Sequence, residues 1–234
     1  MDEYLGTVAA VDESVGRVLD WLEASGETNT IVVYTSDQGF YLGEHGWFDK
    51  RFMYEESLRT PLVMQYPGHI PPVSRVEVAV QNVDYAPTFL DFAGLAAPSS
   101  IQGRSLRDVV DGQPPDDWRE DIYYHYYEYP GFHAVRAHYG IKSGRYKLMR
   151  FYGDINQWEF YDLQSDPGEM KNRIDDPSVQ PIVAELKSRL VRLRRAYRDS
   201  DGPLVDQPLT SKAAIEKGRR DADSAAGSGH HAHH

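Results

Sequence analysis

The chain has no cysteine among its 234 residues, which excludes a disulfide framework and any thiolate metal site. Compartment therefore leaves no redox mark on it. Positive charge is scarce: 25 Lys and Arg face 36 Asp and Glu, a net charge of -11. A surface of that sign repels phosphate backbones and anionic lipid headgroups, so no nucleic-acid partner is expected. Nor is there any stretch near the roughly 18 continuous apolar residues of a membrane-spanning helix, and no membrane partner is expected. The start, Met1-Asp2-Glu3-Tyr4, is acidic and lacks both a basic and an apolar leader region, so no signal peptide is expected in this chain.

What is present is a hydrophobic fraction of 41%, enough for one ordinary domain or two small ones. Tyr4, Val8, Val11, Val15, Val18, Leu19 and Leu22 recur at three- and four-residue spacing and predict an amphipathic helix ending near Ser25-Gly26. Residues 30–35, β-branched and apolar on both faces, predict a buried, parallel strand. Residues 61–66 predict a second strand, and residues 84–93 a short helix with Asp84 at its N-cap. Helix, strand, helix and strand in alternation imply an α/β layered sheet.

Turn formers and acids from Asp111 to Asp117 mark a boundary, which divides the chain into residues 1–115 and residues 116–199. Beyond it, aromatic stretches at 139–143, 146–152 and 159–163, with a hairpin turn at Ser143-Gly144, predict a small antiparallel sheet. Val179, Ile182, Val183, Leu186, Leu190, Leu193 and Tyr197 return to helical spacing and predict a closing helix with basic residues in its last turns. Residues 200–234 lose their apolar content and read as a disordered tail; its His230, His231, His233 and His234 are given little weight as a metal site.

The chemistry is concentrated directly after the first predicted strand, in residues 34–51. Loops at the carboxyl ends of strands line the ligand crevice of α/β sheets, which places Asp37 and Gln38 where a site is expected. A carboxylate beside an amide oxygen suits a hard cation such as calcium, although two side chains cannot complete its shell of six to eight oxygens. Gly39, Gly43 and Gly46 permit sharp turns, while Lys50 and Arg51 supply fixed positive charge, so the pattern points to an anionic substrate. The plainer alternative is that Asp37 caps a following helix and His45 simply packs.

Thr35-Ser36-Asp37-Gln38-Gly39, Leu42-Gly43-Glu44-His45-Gly46, Asp49-Lys50-Arg51 and the segment from Glu55 to Pro61 closely resemble the second signature region of formylglycine-dependent type I sulfatases. The likeness continues through residues 82–91, 101–106, 158–163 and 166–169, and is most similar in look to N-acetylglucosamine-6-sulfatase-like members. The resemblance implies a partial sulfatase or alkaline phosphatase-like layered sheet, with a small carboxy-terminal subdomain of antiparallel sheet and helix. It implies that Asp37 and Gln38 ligate Ca2+, that Lys50 contacts the sulfate and acts in catalysis, and that His45 and Arg51 lie near the substrate. A hydrated formylglycine would attack sulfur. That residue arises from a Cys or Ser in a Cys/Ser-x-Pro/Ala-x-Arg motif, and Ser100-Ile101-Gln102-Gly103-Arg104 does not fit it. The expectation is a sulfatase carboxy-terminal half that lacks the nucleophile and is inactive alone, with a missing amino-terminal half as its partner. The family suggests a periplasmic or secreted location.

The segment His125-Tyr126-Tyr127-Glu128-Tyr129, followed by His133 and His138, is dense in aromatic and imidazole groups that suit a sugar. The tyrosines read mainly as strand residues. His133 and His138 are taken as substrate-binding, and the substrate as a sulfated carbohydrate, an amino sugar of glycosaminoglycans or mucins. Two rivals stay open: a phosphate or phosphonate ester hydrolase of the alkaline phosphatase superfamily, and a non-catalytic binding module.

Overall fold

The structure is a computed structural model that describes residues 2–129, 133 and 135–199; the expected tail and its histidines lie outside the described residues. The chain divides into two compact units, residues 1–36, 61–77 and 83–116 forming one and residues 37–60, 78–82 and 117 onward forming the other.

In the first unit, helix α1 spans Asp2–Ser25 and stops at Gly26, whose φ of 70° is the left-handed conformation that ends helices. None of its residues is buried, and Trp21 on it is 63% exposed. Strand β1 (Val32–Thr35) pairs with the later strand Leu62–Gln65 in antiparallel register, Val32 opposite Gln65 and Thr35 opposite Leu62. The expected buried parallel strand is thus corrected. Its apolar run promised cover on both faces, but its one strand partner among the described residues is antiparallel and Tyr34 stands exposed.

The helix Tyr85–Phe92 follows a 3-10 turn at Asn82–Asp84. Asp84 does not cap it as expected. The residue is already helical in conformation and fully buried, and its carboxylate instead accepts the amide of Arg104 at 2.9 Å. Thr88 accepts the Leu106 amide at 2.9 Å in the same way. A side chain at Gly103 would put its Cβ 1.8 Å from the Val83 carbonyl oxygen, so only glycine allows this turn to close on the helix.

The second unit is built on a four-stranded antiparallel sheet of Asp121–Tyr126, His138–Ser143, Tyr146–Phe151 and Gln157–Asp162 in chain order. The hairpin at Ser143-Gly144 and the last three strands match the expectation, and the tyrosine-rich strand joins them at the edge. Alternation divides the sheet into two faces. Tyr139, Ile141, Leu148 and Phe160 face the closing helix Gln180–Ala196 and pack on its Val183, Leu186 and Leu190. Its 3-10 lead-in is capped by Asp176, whose carboxylate accepts the Ser178 amide at 2.8 Å.

The opposite face is covered by the segment that follows β1. Met53 packs with Met149 and Tyr161, while Tyr41 and Phe52 pack with Tyr126, Val135 and Phe151. Gly140 sits beneath it: a Cβ there would come 2.6 Å from the Met53 sulfur and 2.5 Å from the Leu148 carbonyl oxygen. Beside this contact, Lys147, wholly buried, places its Nζ 2.9 Å from Glu55 and 2.7 Å from Glu169. The Glu169 carboxylate also accepts the Glu55 amide at 2.7 Å, and Lys142 reaches Glu55 at 2.7 Å. Burial drives up the Glu169 pKa, whereas the two lysines overcome burial at Glu55 and hold it below its ordinary value. No described helix is long and apolar enough to cross a membrane.

Removing one partner of a buried ion pair leaves an uncompensated charge and costs about 3–5 kcal/mol. Lys147→Ala should therefore lower the unfolding free energy by that order in denaturant titration, far more than Arg75→Ala in the exposed Arg75–Glu77 pair.

Candidate functional site

Every residue singled out from the sequence as a site candidate falls in the second unit. The segment leaves β1 and immediately turns. The Gly39 amide donates to the Ser57 carbonyl at 2.8 Å, and a Cβ at Gly39 would lie 2.0 Å from the Glu56 carbonyl oxygen, so the backbone passes where no side chain fits. Asp37 is held through its carbonyl by the Asn82 amide at 2.8 Å, while its carboxylate is 87% exposed. Gln38 turns inward, its Nε2 donating to the Ser57 hydroxyl at 2.6 Å and the Ser57 carbonyl at 3.1 Å.

A short ribbon of Tyr41–Leu42 against Phe48–Asp49 then brings Lys50 back. Its Nζ lies 3.9 Å from Oδ2 of Asp37. Asp49 and Arg51, on either side, adopt φ of 115° and 102°, conformations that bulky residues avoid and that cost on the order of 1–3 kcal/mol each. The backbone strain has a local recompense. The Tyr124 hydroxyl donates to the Arg51 carbonyl at 2.6 Å, and the Arg51 amide donates to the Ser57 hydroxyl at 3.0 Å. The Arg51 guanidinium pairs with the Asp49 carboxylate and meets Nε2 of His133 at 2.7 Å, and Nδ1 of His133 lies 3.4 Å from Asp49. All three side chains of this cluster keep part of their surface in water.

The other two histidines are placed differently. His45 adopts φ of 54°, stacks on Tyr54 at 4.2 Å and faces Glu56 at 3.5 Å, with little of its ring exposed. No helix follows Asp37, so the capping alternative does not describe it. His138 is fully buried between Phe52, Tyr126 and Phe151, with ring centroids at 5.5, 5.6 and 5.2 Å, and its Nδ1 meets the Arg136 carbonyl at 2.7 Å. Burial pushes its pKa down to about 4. The structure thus gathers Asp37, Gln38, Lys50, Arg51 and His133, and sets His138 behind them in the sheet.

Asp49, Ser57 and Tyr124 also join this cluster, without any role predicted for them from the sequence. Asp49 was visible beside Lys50 and Arg51 as part of the motif. Ser57 and Tyr124 carried no signal of their own, because their roles come from contacts across 6 to 73 residues of chain.

As to donor chemistry, the Asp37 carboxylate and the Gln38 amide fit a hard cation, as two of its six to eight oxygen ligands. Among the described residues no group of three or more His, Asp or Glu is placed to hold a metal alone.

Residues 43–196 match the family described as N-sulphoglucosamine sulphohydrolase, C-terminal. The chain belongs to that sulfatase family. It is 53% identical over 204 residues to an N-acetylglucosamine-6-O-sulfatase of Bacteroides thetaiotaomicron, a match that covers 86% of this chain and 37% of that protein. The solved structure of BT4656 in complex with its substrate D-glucosamine-2-N,6-O-disulfate superposes with a TM-score of 0.82 at 52% identity, covering 86% of this chain and 42% of that one. A phosphonate monoester hydrolase from Silicibacter pomeroyi is more distant, with a TM-score of 0.70 at 30% identity over 83% of this chain and 40% of that one. The sulfatase and alkaline phosphatase-like fold is therefore established, and the chain spans about two fifths of the length of these relatives.

His138 carries a pH prediction. Its folded pKa lies below the ordinary value of 6.5, so the unfolded chain binds the extra proton first. The stability linked to its neutral ring is complete above about pH 6.5 and is lost as pH falls toward about 4, by roughly 3 kcal/mol in all. Denaturant titration across that window should show the loss, and His138→Phe should flatten it.

Proposed function

We propose that this chain forms the carboxy-terminal part of a sulfuric ester hydrolase that removes sulfate from an amino sugar of glycosaminoglycans or mucins. The observation that supports the reading is the approach of Lys50 to Asp37, with the Lys50 ammonium 3.9 Å from the exposed Asp37 carboxylate. Support comes also from the family match and from the sulfated glucosamine in the BT4656 complex. In this reading residues 1–115 belong to the catalytic α/β domain and residues 116–199 to a carboxy-terminal subdomain.

Asp37 and Gln38 would hold calcium, which when bound offsets the negative charge of the sulfate oxygens. Lys50 places its ammonium on the same oxygens, where preorganised positive charge stabilises the charge that develops as the sulfur–oxygen bond breaks. The chain contributes no Cys and no Ser in a formylglycine motif, so the nucleophile and the remaining metal ligands must come from sequence outside it.

The Asp49–Arg51–His133 cluster suits the sugar itself. It offers a rigid guanidinium fork, a carboxylate acceptor and an imidazole within one partly exposed patch, the set of donors and acceptors that adjacent ring hydroxyls require. His45 shapes the wall through its stack on Tyr54, and His138 supports Phe52 from behind.

The test is kinetic, in an active enzyme carrying this chain as its carboxy-terminal part. Lys50→Ala should lower kcat by about 10²–10³ on glucosamine 6-sulfate, the scale of losing one charge-stabilising donor. Arg51→Lys should instead raise KM about tenfold with kcat nearly unchanged, because an ammonium cannot reproduce the fork. Wild-type turnover by Lys50→Ala, or faster turnover of a phosphonate monoester than of the sulfate ester, would overturn the reading.

A further inference from the structure

We infer that Ser57 is the positioning residue of this site, holding the calcium-binding amide of Gln38 and the sugar-reading Arg51 in register through one buried hydroxyl. The inference rests on the proposed roles of those two residues and adds a role that neither motif nor family match assigns.

Ser57 is 1% exposed, on the short helix Glu55–Leu58 that the Lys147–Glu55–Glu169 ion triad clamps to the sheet. Its position is therefore set by the subdomain and not by the loop it serves. Its Oγ receives Nε2 of Gln38 at 2.6 Å and the Arg51 amide at 3.0 Å, while its carbonyl receives Nε2 of Gln38 at 3.1 Å and the Gly39 amide at 2.8 Å. The Tyr124 hydroxyl bonds the carbonyl of the same Arg51 at 2.6 Å.

These contacts decide which way the amide points. The nitrogen of Gln38 faces both oxygens of Ser57, the hydroxyl and the carbonyl. Exchanging the two ends of the amide would press its oxygen against the Ser57 carbonyl, acceptor against acceptor. The planar amide must then present its oxygen away from Ser57, as a cation ligand requires. An unanchored glutamine has three rotatable bonds and would lose that freedom on binding the ion. Ser57 removes the cost in advance, the usual role of a group that orients a metal ligand from behind, where loss typically costs 10–100-fold in affinity.

The same hydroxyl caps the strained backbone at Arg51, whose φ of 102° is otherwise unfavourable. One oxygen thus ties the cation ligand to the guanidinium that meets Asp49 and His133.

The experiment uses an active enzyme carrying this chain and reads calcium affinity by titration calorimetry, with KM for glucosamine 6-sulfate at saturating calcium. Ser57→Ala is expected to weaken calcium about tenfold or more and to raise KM several-fold. Ser57→Thr, which keeps the hydroxyl, should bind calcium within about threefold of wild type. In Gln38→Ala background, Ser57→Ala should change calcium affinity no further, since the amide it orients is gone. Gln38→Glu provides a variant that leaves Ser57 intact. Added negative charge alone would tighten calcium, whereas an oxygen facing the Ser57 carbonyl should weaken it. Unchanged calcium affinity in Ser57→Ala, an equal loss in the Thr variant, additive losses in the double variant or tighter binding in Gln38→Glu each overturn the inference. Absence of calcium binding in the wild-type enzyme is a different result, which sinks the cation reading of Asp37 and Gln38 itself.

Discussion

The site depends on one buried ionic clamp. Lys147 reaches Glu55 and Glu169, its own side chain and that of Glu169 wholly buried, and this contact pins the helix that follows the motif loop onto the face of the four-stranded sheet. A lysine in that position would be prohibitively costly without both carboxylates, and each carboxylate would be costly without the lysine. The group is therefore strongly cooperative, and whatever hangs from Glu55 inherits its rigidity. Ser57 is two residues away and Arg51 and Gln38 are hydrogen-bonded to it.

Packing reinforces the clamp. Met53 lies over Gly140 so closely that no side chain could replace that hydrogen, and Phe52 sits against His138 and Phe151. A loop seated this way can carry strain, and it does at Asp49 and Arg51. Strained backbone persists only where the surroundings over-determine it. Here the surroundings are Tyr124, Ser57 and His133, and the strained residues are the ones that present charge to solvent.

A division of labour follows from this architecture. Asp37 is exposed and Lys50 partly so, as their proposed roles toward a cation and a sulfate ester would require. His138, although drawn from the same aromatic and imidazole-rich stretch as His133, is enclosed and kept neutral. The two histidines are five residues apart. His138 lies in the strand paired opposite Phe151, on the covered face, whereas His133 lies before that strand, level with Arg51. Sequence spacing alone cannot separate these fates, because the cover on His138 comes from Phe52, far earlier in the chain.

Local pattern was enough to find the first helix, the two strands that flank the motif, the last three strands of the sheet and the closing helix. Each of these follows from hydrophobic periodicity, turn residues or caps that act over a few positions. The motif from Asp37 to Arg51 was equally legible, since its residues are contiguous and its family likeness is strong. Only the tertiary structure decided the antiparallel pairing of β1, the inward carboxylate of Asp84 and the burial of Lys147 and His138. The physical reason is common to all of them. Strand direction, ion pairing and burial on a given face are set by partners dozens of residues away, and a side chain's alternation in a strand tells which face it joins but not what will cover that face.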